Sequence, residues 1–168
     1  MQDPDPSARL AAVRHIAWPA LGVQFAALAV ALVICRLVLG PTPWVLLAGT
    51  LLYLLHARGA RALLLRHHTA GIAALRARAF QDAIAEFEAS YAFLSRHRWI
   101  DRHRTAVLLS PSPQSFREMA LLNAAFAELQ LGRAPAAKVI YQRVLDEFPA
   151  SAPAAAALRW LAAVERGA

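Results

Sequence analysis

Two stretches decide the fold: GIAALRARAFQDAIAEFEASYAF at residues 71–93 and LLNAAFAELQLGRAPAAKVIYQRVLDEFP at residues 121–149. Each reads as two amphipathic helices joined by a short turn. Alanine or glycine lets two helices approach closely, and a large ring, Phe87 in the first stretch and Tyr141 in the second, can fill the groove between neighbouring pairs. Ala83 and Ala137 are the matching small positions, 54 residues apart.

Together the stretches resemble the tetratricopeptide repeat, a 34-residue helix-turn-helix unit. In the first copy Gly71, Phe80, Ala83, Phe87 and Ser90 match its small, turn-aromatic, small, large and small positions; in the second Ala125, Gly132, Ala137, Tyr141 and Val144 match its small, turn, small, large and small-to-medium positions, with Pro149 ending the unit. Arg78 departs from the pattern where a turn glycine is usual, and Val144 is bulkier than the usual alanine. RHRWID at 96–101 and SFREMALLNAAF at 115–126 also resemble segments of small bacterial membrane-anchored repeat proteins. The repeat resemblance implies an all-α chain whose residues 58–168 form a repeat domain that binds another protein without catalysis. It also implies that Asn123, at a position where peptide-binding members carry asparagine, is a polar group of the groove.

The spacing exceeds one repeat by 20 residues, so an insertion lies at about 96–114. It holds RHRWIDRHR at 96–104, then TAVLLSPSPQ. A solvated or internally paired loop, a dock for an acidic protein and a lipid patch are the readings kept open for it. Arg98, Arg102 and Arg104 would supply charge-assisted hydrogen bonds, and Trp99 a buried anchor. Alternatively, Trp99 and Ile100 plug the end of the first repeat while Asp101 pairs a neighbouring arginine. SPSP at 110–113 reads as a connector.

After the insertion Ser115 and Glu118 form an S-x-x-E capping box. A last helix at 151–166, with Ser151 as its cap, should shield the final repeat. Two repeats and one closing helix bury little core, so the insertion, a second copy or a partner is expected to cover what remains.

Upstream, residues 16–35 read IAWPALGVQFAALAVALVIC, uncharged and with Gln24 as the one strongly polar member. Twenty helical residues span about 30 Å, the hydrocarbon thickness. A Gly-Pro turn separates this run from WVLLAGTLLYLL at 44–55, which is short for a crossing. The reading is a transmembrane hairpin of 16–39 and 43–57, with Trp18 and Trp44 at the interfaces. Arg9, Arg14, Arg58, Arg61 and Arg66 flank it and only Arg36 lies in the turn, so both termini, including residues 1–15, are expected on the cytoplasmic side of a bacterial inner membrane. The run is too long, and lacks the small-x-small site, for a cleavable signal. Arg58, Arg61 and Arg66 suit anionic headgroups. Gly22, Gln24 and Gly49 suit helix packing in lipid.

Composition agrees with a membrane class, since 58% of residues are hydrophobic and mean hydropathy is +0.40. Cys35 is the single cysteine, which rules out an intramolecular disulfide. No nucleophile elbow, phosphate loop or zinc-protease motif occurs, and Asp82, Glu86 and Glu88 read as a solvated helix face. Adjacent His67 and His68 point about 100° apart on a helix and make no metal pair, and His97 and His103 lack further ligands. The expectation is therefore no cofactor, no metal and no nucleic acid.

Overall fold

The computed structural model describes residues 18–110, 112 and 114–167, which are helical and contain no strand. Among the described residues nine helices follow one another: α1 Trp18–Leu39, α2 Val45–Leu64, α3 Arg66–Arg76, α4 Phe80–Arg96, α5 Arg98–Arg102, α6 Arg104–Val107, α7 Phe116–Gln130, α8 Ala134–Glu147 and α9 Ala152–Gly167. They divide into two compact units. The first holds 18–59 and 103–112, and the second 60–102 and 114–167. Arg9 and Arg14 lie outside the described residues.

In the first unit α1 is long and apolar enough to cross a membrane. Gly40, at φ +72°, ends it in the left-handed conformation that glycine adopts without strain. The helix that follows differs from the short apolar run expected at 43–57. It starts at Val45 and continues through Arg58 and Arg61 to Leu64, because the alanine, leucine and arginine after Leu55 are strong helix formers and outweigh Gly59. The two helices touch at Gly49, where an added Cβ would stand 3.0 Å from the Leu32 Cα. Only a glycine fits that approach.

The second unit is built from two helix pairs, α3 with α4 and α7 with α8, closed by α9. Gly71 lets α3 lie directly against the fully buried Phe87 ring, which would be 2.8 Å from an added Cβ. Helix α7 is the shared wall. Its Ala120, Ala124 and Ala127 pack with Ala83, Ile84 and Phe87 of α4, while its Leu121 and Ala125 pack with Ala137, Tyr141 and Val144 of α8 and with Ala154 and Leu161 of α9. Small side chains on both faces permit both contacts.

The turns of the two pairs differ in one informative residue. Gly132 turns the second at φ +73°, whereas Arg78 turns the first at φ +59°. A non-glycine residue there costs about 1–2 kcal/mol.

At 96–107 the chain forms two short helices instead of an open loop. Ile100 is buried at 1% exposure while Trp99 is 56% exposed, so of the two residues expected to plug the first pair only Ile100 is buried. Asp101 is also buried, and its carboxylate serves the start of α7. It accepts from the Ser115 hydroxyl and from the Phe116 N–H at 2.8 Å. Ser115 Oγ in turn accepts from the Arg117 and Glu118 N–H groups at 3.2 and 3.3 Å. Three orphan amides of the first turn are thus satisfied, two by the expected cap and one by a residue from the insertion.

The second expected cap fails. Ser151 precedes α9 and is buried, but its hydroxyl makes no hydrogen bond. Pro153 occupies the second helical position, so one of the two amides that a capping hydroxyl serves is missing.

Candidate interaction site

The second unit carries a concavity of about 310 Å³, lined by Phe87, Glu88, Tyr91 and Ala92 of α4, Leu121 and Ala124 of α7, and Ile140 and Arg143 of α8. Its floor is apolar, and Glu88 and Arg143 supply opposite charges.

Beside it lies a polar network that joins the two helix pairs. Arg117 donates from Nη2 to Glu147 Oε2 at 2.5 Å and to the Tyr91 hydroxyl at 3.3 Å. Its Nε donates to Ser95 Oγ at 3.0 Å. Tyr91 donates to Glu147 Oε1 at 2.5 Å, and Arg143 Nε donates to the same oxygen at 3.2 Å. The Arg117 guanidinium also lies over Tyr91 and Phe148, and Arg143 lies over Tyr91 at 4.5 Å. Burial pushes the Glu147 carboxyl up, but hydrogen bonds from Tyr91 and Arg143 and the charges of Arg117 and Arg143 outweigh it and hold the group below the usual carboxylate range. The network locks α4, α7 and α8 together and fixes one wall of the concavity.

The sequence signals for these residues are unequal. Arg143 and Glu147 form an i,i+4 pair readable from spacing. Tyr91, Ser95 and Arg117 are brought in from 22 to 56 residues away, and no local pattern announces them.

Of the residues expected to dock a partner, Arg98, Trp99 and Arg102 are exposed on α5 in the second unit. Arg104 belongs to the first unit, where its Nε donates to the Ser112 carbonyl at 3.0 Å. The three arginines therefore do not form one patch of one unit. Asn123 is half-buried on α7 and does not line the concavity.

Arg58, Arg61 and Arg66 are all exposed, and Arg66 Nε donates to His67 Nε2 at 3.2 Å. Gly22 meets nothing within 4 Å of an added Cβ, whereas Gly49 marks the close approach already described. Gln24 bonds to the Leu109 carbonyl rather than to a neighbouring apolar helix.

The histidine pair separates in environment. His67 Nδ1 is 2.8 Å from Glu86 Oε2, so Glu86 is partnered and not merely solvated. His68 is buried with its ring edge-on to Phe87 and Phe116 and its Nδ1 unpaired. Burial lowers its pKa from 6.5. Among the described residues no group of three or more His, Cys, Asp or Glu side chains converges on a point suited to a metal ion.

Comparison with protein-family models, curated proteins and solved structures returns no match.

Proposed function

We propose that this chain is a membrane-anchored, non-enzymatic interaction module. In this reading α1 and the apolar part of α2 form a hairpin in a bacterial inner membrane, with both termini cytoplasmic. The two helix pairs act as tetratricopeptide-like units that bind a protein partner.

One observation carries the reading: the large exposed apolar side chains are concentrated in the helices of the first unit. Phe25, Leu37, Val38, Trp44, Leu46 and Leu47 are each more than 60% exposed, while Phe87, Leu94 and Val144 of the second unit are fully buried. A contiguous apolar surface of that extent calls for lipid or another protein. Arg58, Arg61 and Arg66 would then meet anionic headgroups, at roughly 1 kcal/mol each. Arg98, Trp99 and Arg102 would offer an acidic partner two cations flanking an aromatic anchor.

The test is gentle-detergent purification of the tagged chain from its native membranes, beside the Arg98→Ala, Trp99→Ala, Arg102→Ala triple variant, followed by mass spectrometry. A stoichiometric protein lost with the folded variant supports docking at α5. The same companions with both chains remove α5 from the proposal.

The outward-facing apolar side chains of α1 suit a second reading, an accessory subunit whose hairpin packs among other spans. Migration of the chain solely within a large assembly would select that reading over a free-standing adaptor.

A further inference from the structure

Gln24 is the one strongly polar side chain of the apolar run 16–35, and a side-chain amide in such surroundings needs a partner. It finds one in the insertion. Its Nε2 donates to the Leu109 carbonyl at 3.0 Å, across 85 residues of sequence.

The receiving segment is shaped for that contact. Leu108 and Leu109 are buried at 0% and 2% exposure. Leu109 sits at φ +47°, a backbone region that a bulky residue keeps only where its surroundings over-determine it. The segment also closes on itself. Leu108 N–H donates to the Arg104 carbonyl at 2.9 Å, Arg104 Nε donates to the Ser112 carbonyl at 3.0 Å, and Ser112 N–H donates to Ser110 Oγ at 3.3 Å.

We propose that residues 104–110 form an intramolecular latch on α1, seated at Gln24, and that the closed latch occupies an N–H of this amide and keeps that donor from pairing with another apolar helix. An interhelical amide bond is a recognised driver of association in lipid, so opening the latch frees that donor for a second copy of α1, whose Gln24 carries the complementary Oε1 acceptor. The masking rests on α1 lying in a bilayer. The latch itself does not, so the two parts fail separately.

The latch is tested by thiol labelling of the full chain with Cys35→Ser as background. Ser110 is buried and Ala106 exposed, so Ser110→Cys should label far more slowly than Ala106→Cys. Adding Gln24→Met should raise the Ser110→Cys rate roughly three- to fifteen-fold, the factor set by one hydrogen bond between apolar helices. Phe25→Met, on an exposed side chain, should leave it unchanged, and Ser90→Cys in the second unit should stay protected throughout. Equal labelling at 106 and 110 in the otherwise native chain overturns the latch. So does an unchanged rate with Gln24→Met, or a rise shared by Ser90→Cys, which would make Gln24 a general support of the fold.

Masking is read by energy transfer between two tagged copies in membranes. Leu108→Asn with Leu109→Asn should raise transfer, and adding Gln24→Leu should abolish the rise. No rise, or one that survives the Gln24 change, contradicts masking and leaves the labelling result to decide the latch alone.

Discussion

Phe25 and Phe87 are the same side chain in opposite circumstances. Phe25, on α1, is 68% exposed and Phe87, on α4, is sealed at 0%. The helices around Phe87 carry apolar residues on one side and charges on the other, so they close on one another. Helix α1, which carries Phe25, is apolar on all sides but for Gln24 and Arg36 and leaves most of that surface outward. One chain thus contains a unit with sealed large apolar side chains and a unit whose large apolar side chains mostly face outward.

The largest expected contrast follows from that pair. Phe87→Ala should cost the second unit about 3–5 kcal/mol, the usual loss for a buried aromatic, seen as a fall in the thermal midpoint of the detergent-solubilised chain. Phe25→Ala should leave that midpoint within experimental scatter. Equal losses would erase the distinction between the two units.

Next comes the tie between the insertion and α7. Asp101→Ala removes the acceptor of the Phe116 N–H and of the Ser115 hydroxyl. A loss of roughly 1–3 kcal/mol is expected for buried donors left unpaired, measurable by hydrogen exchange at the first turn of α7. Unchanged exchange there would mean that Ser115 alone maintains the cap.

Acid sharpens the contrast differently. Burial holds the His68 pKa below 6.5 in the folded chain, so the unfolded chain binds the proton more readily. The contribution is fully present above pH 6.5 and is lost as pH falls toward the lowered folded-state value. Glu147, held below 4.5, acts in a lower window: its contribution is present above pH 4.5 and disappears as pH falls through its folded-state value. His68→Phe should flatten the first slope and leave the second. A slope unchanged by the substitution would assign the first window to other groups.

The smallest effect is a gain. Arg78→Gly relieves the φ +59° conformation but gives the unfolded chain more freedom, so a net stabilisation of about 0.5–1 kcal/mol is expected. A loss would show that the Arg78 side chain supports the turn.

These residues also show what was legible beforehand. The helical character follows from local spacing and side-chain size, and the two helix pairs from the repeat resemblance those residues carry. Trp99 and Ile100 were not separable, because sequence gives two adjacent apolar residues no difference in direction without the path of the short helix that holds them. Asp101 had arginines close at hand in the sequence, yet it serves amides at positions 115 and 116, brought near by folding alone. The same holds for Gln24 with Leu109 and for Tyr91 with Glu147. Local chemistry identifies helices and their faces; which polar groups meet depends on how far-apart segments are brought together.

The measurement that bears most directly on the membrane-anchored reading is alkaline carbonate extraction of membranes from cells expressing the full tagged chain, with protease added to right-side-out and inverted vesicles. Retention in the pellet, with a C-terminal tag cleaved only in inverted vesicles, is the expected result. Release of the chain into the carbonate supernatant would contradict the anchor and assign the exposed face of α1 and α2 to a protein partner.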